Sequence, residues 1–130
     1  FYAARGKKNF GRVYENAVFL QLRRKLNPLE QISYYRSPGN REVDFVIRQG
    51  THVTKLIQVV YDLREKETKD RELNALVEAA REFGLDGKKK ELMIITRDVE
   101  TQEEIEGLRI TYKRLWKWLI EEGNAISADA

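Results

Sequence analysis

The sequence predicts an α/β domain, a mixed central sheet of four to five strands flanked by helices in the order αβββαββα. Three observations carry this reading. Apolar residues recur at helical spacing near the beginning, the middle and the end of the chain, and β-branched and aromatic runs broken by turn formers lie between the first two helices. An uninterrupted apolar run, Leu92-Met93-Ile94-Ile95, follows the second helix, where a parallel strand returns after a crossover.

The elements follow in order. Phe10 to Leu26 has helical apolar spacing and stops at Asn27-Pro28, because the residue before a proline is pushed out of helical geometry. Ile32–Arg36 and Glu42–Arg48 are short strands joined across Ser37-Pro38-Gly39-Asn40, four turn formers in succession. Val53–Tyr61 is a third strand, reached over Gln49-Gly50-Thr51-His52, and its continuous apolar run implies cover on both faces. His52 reads as a turn residue. Thr68 is placed to cap the second helix, which carries Leu73, Leu76, Ala80 and Phe83 on one face and ends at Gly84. Lys88-Lys89-Lys90 forms an exposed turn before the fourth strand. An acidic segment, Asp98–Glu106, precedes a short strand at Leu108–Thr111 and a last helix with Leu115, Trp116, Leu119 and Ile120. Trp116 and Trp118 cannot share one helical face, so one belongs to the core and the other is free to cover a domain or homodimer contact.

Composition narrows the chemistry. The 130 residues, 42% hydrophobic, suit one domain spanning 1–130, and 24 basic against 21 acidic side chains give a net charge of +3 with the signs interspersed. Such a balance permits a nucleic-acid partner without requiring one. With no cysteine and a single histidine, disulfide scaffolds, thiol catalysis and histidine-rich metal centres are excluded. No apolar run approaches the roughly 18 residues of a membrane span and no basic-then-apolar leader opens the chain, so a cytoplasmic location is expected. A beginning at Phe1-Tyr2 is read as the start of a fragment of a longer protein.

Three polar residues interrupt the apolar pattern. At 100° per residue Glu15 lies within about 60° of Gly11, Val18, Phe19, Leu22 and Leu26, which puts a carboxylate on the stripe expected to be buried. A second apolar patch, Val13, Ala17 and Leu20, leaves open the reading that the opposite side is buried and Glu15 faces water. Asp44 occupies a strand interior, where aspartate is disfavoured, and shares its face with Val46. Gln58 is a lone amide among Leu56, Ile57, Val59 and Val60, and a buried amide needs hydrogen-bond partners or a ligand. A three-residue turn, Gly50-Thr51-His52, sets Asp44 opposite Gln58 on one face; a two-residue turn separates them. Two carboxylates and an amide oxygen are hard donors of the kind that hold Mg²⁺ or Mn²⁺.

With Gly11-Arg12-Val13-Tyr14-Glu15-Asn16 on a helix, Glu42-Val43-Asp44-Phe45 on a strand and Ile57-Gln58-Val59 on the next, the chain resembles the PD-(D/E)XK nuclease superfamily. In particular it resembles the nuclease-like domain at the carboxyl end of archaeal and bacterial AAA+ ATPase-like proteins. Asp70-Arg71-Glu72-Leu73 and Leu115-Trp116-Lys117-Trp118-Leu119 are also similar to that family. The resemblance implies a restriction-endonuclease-like core, Glu15, Asp44 and Gln58 as catalytic and metal-binding positions for Mg²⁺ or Mn²⁺, DNA as partner, and an amino-terminal ATPase module in the parent chain.

Two positions depart from the family pattern. Gln58 stands where an acid is expected, and Val60 stands at the lysine position, so the ligand set carries less charge and a cation that stabilises the transition state is missing. Lys55 has the wrong strand parity to substitute, which leaves Lys69 or Arg71 as the surrogate cation. Arg23, Arg24, Lys25, Lys88, Lys89 and Lys90 are candidate phosphate contacts, and Tyr34 and Tyr35 candidate stacking residues for nucleic acid; each basic cluster taken singly reads rather as solvated surface. Two functions follow: a DNA-binding nuclease-like domain accessory to an AAA+ ATPase, or an inactive nuclease fold used for protein interaction or regulation.

Overall fold

Alternation of apolar side chains along the central strands decides which helices cover which face. The computed structural model describes residues 6–85 and 91–129, with side chains described for 10–85 and 91–122. In chain order the elements are α1 (Gly6–Lys25), β1 (Glu30–Arg36), β2 (Glu42–Gln49), β3 (His52–Val59), α2 (Lys66–Glu82), β4 (Glu91–Thr96), β5 (Thr101–Ile105), β6 (Leu108–Arg114) and α3 (Leu115–Asp129). The strands form one mixed sheet in the order β1-β2-β3-β4-β6-β5. β4 is parallel to β3 and to β6, as a crossover through α2 requires, while β1-β2, β2-β3 and β5-β6 are antiparallel.

Leu56 and Val60 of the β3 segment point to one face, where Val46, Leu92, Ile94 and Ile110 meet Leu73, Leu76 and Ala80 of α2. Ile57 and Val59 point to the other, where Ile47, Met93 and Ile95 meet Val18 and Leu22 of α1 and Leu115 and Trp118 of α3. Leu76 is fully buried, and such a side chain contributes about 2 kcal/mol through area removed from water.

The sheet has six strands, one or two more than expected. The addition is β5, hidden in the segment read as merely acidic. Thr101-Gln102-Glu103-Glu104-Ile105 pairs with β6 across Glu106 and Gly107, both at positive φ. Because β5 is the sheet edge, it needs little apolar content, and its glutamates discourage pairing with other chains. α2 begins before Thr68: its N-cap is Glu65, without a side-chain cap, and Thr68 lies inside the helix with its hydroxyl 3.5 Å from Glu65. It does end at Gly84, whose φ of 68° allows Leu85 N–H to reach Ala80 C=O at 2.7 Å. On α3, Trp118 is core while Trp116 and Ile120 are exposed.

The β2-β3 turn also differs from expectation, with a result that matters for the site. Gln49 pairs with His52, so the turn is the two residues Gly50-Thr51, with Gly50 at φ 63°. Alone, that turn would place Asp44 and Gln58 on opposite faces. The register then shifts: Arg48 pairs with Val53 but Ile47 with Lys55, leaving Thr54 as the extra residue of a bulge. Thr54 donates its hydroxyl to Ile47 C=O at 3.3 Å. Beyond the bulge the parity is that of a three-residue turn as far as the last pair, Phe45 with Ile57, and the Asp44 N–H meets the Gln58 side chain just past it.

A second bulge lies at Asp44 itself. Ser33 pairs with Val46 but Tyr35 with Val43, so β2 carries one residue more than β1 over this stretch. Val43 and Val46 consequently both face α2, and the strand bends where its carboxylate sits.

Candidate functional site

The backbone ladder of β2 and β3 runs only as far as Phe45 and Ile57. Past that pair, side chains take its place. Asp44 N–H donates to Gln58 Oε1 at 2.9 Å, and Gln58 Nε2 donates to Glu42 C=O at 2.8 Å and to Glu72 C=O of α2 at 3.3 Å. Val59 N–H donates to Asp44 Oδ2 at 2.8 Å. The Gln58 amide thus imitates a peptide group of a paired strand and ties β2, β3 and α2 together, while fully buried. Its polar atoms are engaged with main chain rather than turned toward an ion. Only Oδ2 of Asp44 is engaged in this way among the described residues, which leaves Oδ1 for another partner.

The charges of three carboxylates reach a fourth, Asp44, here. Glu15 comes from α1, Glu42 and Asp44 from β2, and Glu72 from the second turn of α2. Burial pushes the Asp44 carboxyl up to about 7; the Val59 N–H opposes this, and the charges of Glu15, Glu72 and Glu42 add to it. Glu72 is raised by burial first, with Arg71 opposing and Glu15 and Glu42 reinforcing. Glu15 is raised by desolvation, opposed by Arg12. A buried carboxyl raised in this way beside other acids is a candidate place for positive charge or a proton.

Glu15 is not on the buried stripe. α1 buries Val18, Gln21 and Leu22, and Glu15 stands at the exposed rim on the flank of that stripe, with Phe19 and its stacking partner Phe45. Its charge reaches Asp44 from that flank, where partial desolvation raises its own carboxyl. Glu72 was not singled out by the sequence because position 72 in Lys-Asp-Arg-Glu-Leu reads as an ordinary solvated helix start. Its neighbour Leu73, which points into the core, was the available signal.

Two hollows meet at this acidic cluster. One, of about 250 Å³, includes Asn40, Glu42, Asp44, Arg71 and Glu72 in its lining; the other, of about 380 Å³, includes Gly11, Val60, Tyr61, Thr68, Arg71 and Glu72. Arg71 and Glu72 belong to both, with Arg71 Nε 3.6 Å from Glu72 Oε1. The site lies at the carboxyl end of β3, the end where sheets with parallel strands place their ligands. Among the described residues no three of His, Asp and Glu converge closely enough to hold a metal ion by themselves.

The remaining candidates divide. Lys69 lies over the Tyr112 ring, 5.7 Å from its centroid, and away from both hollows, whereas Arg71 lines them. Val60 is buried against α2. Lys55 pairs with Glu91 on the opposite face, consistent with its parity. Arg23, Arg24 and Lys25 end α1, about 12–15 Å along the helix from Glu15 at 1.5 Å per residue; Arg23 covers Phe19 and Lys25 bonds to Glu122. Tyr34 is exposed, but Tyr35 bonds to Glu82 and packs edge-on against Phe83, so the two do not form one stacking platform. Lys88, Lys89 and Lys90 lie outside the described residues. No helix among the described residues is long and apolar enough to cross a membrane.

Comparison with known proteins gives three findings. An uncharacterized protein of Methanocaldococcus jannaschii, MJ1544, is 40% identical over 116 residues, which are 85% of this chain and 25% of that protein. This chain therefore spans about a quarter of the length of that relative. Among solved structures, a chain of the half-complex from the tetradecameric assembly of Thermococcus gammatolerans McrB AAA+ hexamers with bound McrC has a similar fold. Its TM-score is 0.61 at 19% identity, over 89% of this chain and 33% of that one. A family model matches residues 10–115, which contain every described candidate residue of the site, and the chain belongs to that family, the domain of unknown function DUF4143.

Proposed function

We propose that this domain is a PD-(D/E)XK-type nuclease-like module that binds DNA at the Asp44 cluster and hydrolyses phosphodiesters with Mg²⁺ or Mn²⁺, in the service of an AAA+ ATPase. One observation carries the reading: Asp44, beside the end of β3, is raised first by its burial and then by the charges of Glu15 of α1, Glu72 of α2 and Glu42 of its own strand. The donor set fits such an ion. Mg²⁺ needs only one or two protein carboxylates when waters and phosphate oxygens complete its shell, so the lack of a closed three-ligand cage is no obstacle. Asp44 Oδ1 and the Glu72 carboxylate are the natural ligands, with Glu15 at the rim.

An ion held there supplies charge stabilisation at the phosphate and a more acidic bound water. Gln58 positions: by gripping Asp44 N–H, Glu42 C=O and Glu72 C=O it fixes the two ligand-bearing segments. Arg71, on the wall common to both hollows, is the surrogate for the cation absent at Val60. The occurrence of this fold in an assembly of AAA+ hexamers supports an accessory role beside an ATPase, and so does the greater length of the M. jannaschii relative, which leaves room for another module.

A second reading has its own support. With Val60 in the core and the Gln58 amide engaged, the fold retains its acids without the full nuclease set, as expected of an inactive domain that serves protein contacts or regulation. Manganese titration, together with incubation of duplex, single-stranded and branched DNA with Mg²⁺ or Mn²⁺, separates the two. On the proposed function the protein binds one Mn²⁺ and cleaves, and Asp44→Ala loses both. Cleavage that survives Asp44→Ala removes this site from the chemistry, and absence of both metal binding and cleavage leaves the second reading.

A further inference from the structure

Gly11 sits inside α1, where glycine is among the poorest residues for helix stability. Neither backbone nor packing asks for it: a Cβ built there meets nothing within 4 Å. It lines the hollow of about 380 Å³ beside the acidic cluster, so any larger side chain would project into space that is open. A glycine that no internal contact explains, on the wall of a cleft, makes room for something outside the chain.

We propose that this cleft seats an unpaired nucleoside next to the phosphate at the Asp44 end, so that the domain selects single-stranded or branched DNA over continuous duplex. The inference rests on the DNA-acting reading above. The walls state the chemistry of the occupant. Glu65 and Glu72 repel a phosphate but accept hydrogen bonds from the amino groups of a base, and Thr68 adds a hydroxyl. Val59 and Val60, both largely buried, contribute to the lining where β3 ends. Tyr61 adds the edge of an aromatic ring whose faces are already covered: Phe10 stacks on it at 5.0 Å and the Arg97 guanidinium lies 5.0 Å from its centroid, while Tyr14 meets it edge-on at 5.1 Å. Phe10, half of its own surface exposed, offers a further aromatic surface beside the cleft.

Arg71 stands between this cleft and the hollow with Asp44, where the backbone joining the seated nucleoside to the reacting phosphate would pass. A base inside a duplex, stacked and paired, does not reach into such a cleft without extrusion.

The test is anisotropy titration of the intact protein with a labelled 12-nucleotide single strand and the matching duplex, with Ca²⁺ in place of Mn²⁺ to prevent turnover. Gly11→Leu is expected to weaken single-strand binding at least tenfold, to leave duplex binding and Mn²⁺ affinity unchanged, and not to lower the melting temperature, since leucine favours the helix. Gly11→Ala is expected to fall between, and gives the result if the leucine variant does not fold. Single-strand affinity indifferent to residue 11, or an equal loss for strand and duplex, overturns the proposal while leaving the metal site standing. Failure of the wild type to bind either DNA overturns the DNA-acting reading and this inference with it.

Discussion

At its turn end the β2-β3 pair is held by main-chain ladder bonds, a two-residue turn and a bulge, whereas at its far end side chains replace the ladder and four acids gather. The turn end satisfies its polar groups internally and presents few reasons for tuning. The far end leaves the strands held by one glutamine and one aspartate, and the carboxylate that holds the backbone is also the one whose charge is disfavoured. The difference shows how a sheet opens a site: pairing stops, an amide bridges the gap, and the edge that pairing would have occupied becomes a place for acids.

Substitutions at the two ends should therefore behave differently. Gln58→Leu keeps the volume but strips partners from Asp44 N–H, Glu42 C=O and Glu72 C=O, and is expected to destabilise by about 3 kcal/mol or more, since each orphaned buried group costs about 1–3 kcal/mol. Urea unfolding reads this directly, and a loss below about 1 kcal/mol would mean that Gln58 is not the bridge.

Asp44→Asn should have the opposite sign. A carboxyl at about 7 in the folded chain and near its ordinary value when unfolded binds more protons in the native state between those limits, so its contribution to stability falls as pH rises through that window. At pH 8 the charged form is fully disfavoured, and Asp44→Asn, which keeps an acceptor for Val59 N–H, is expected to stabilise by about 2–4 kcal/mol. Below pH 4 the gain vanishes. Melting curves from pH 4 to 8 check this, and a wild type that grows more stable across that range would contradict the charge arrangement.

At the turn end effects should be small and indifferent to pH. Gly50→Ala forces a left-handed conformation on alanine in open space and is expected to cost about 1 kcal/mol at pH 5 and pH 8 alike. A pH-dependent cost would mean that the two ends are coupled.

Much of this architecture was legible in residue order. The helix from Phe10, the three strands broken at Ser37–Asn40 and near Gly50, the α2 crossover and the parallel β4 all follow from local pattern, because period and turn chemistry are local properties. β5 escaped because an edge strand buries little, so no alternation marks Thr101–Ile105. The expected three-residue turn is not the one formed, yet a bulge at Thr54 restores its register from Ile47–Lys55 to Phe45–Ile57, where turn length alone would have reversed the parity.

Of the site, residue order alone shows Asp44 and Gln58 out of place in their strands, because an acid and an amide break an apolar run whatever surrounds them. What each side chain does follows from the elements packed around it. Gln58 was as consistent with a ligand as with a brace until its amide was found bonded to the backbone of β2 and α2. Glu15 stood on a helical stripe whose buried centre proved to lie at Val18 and Leu22, and Glu72, unremarkable in its own helix, became part of the cluster because α2 starts beside the end of β3. Periodicity reports which side of an element faces the protein; which carboxylates come near enough to act on Asp44 depends on how distant elements meet.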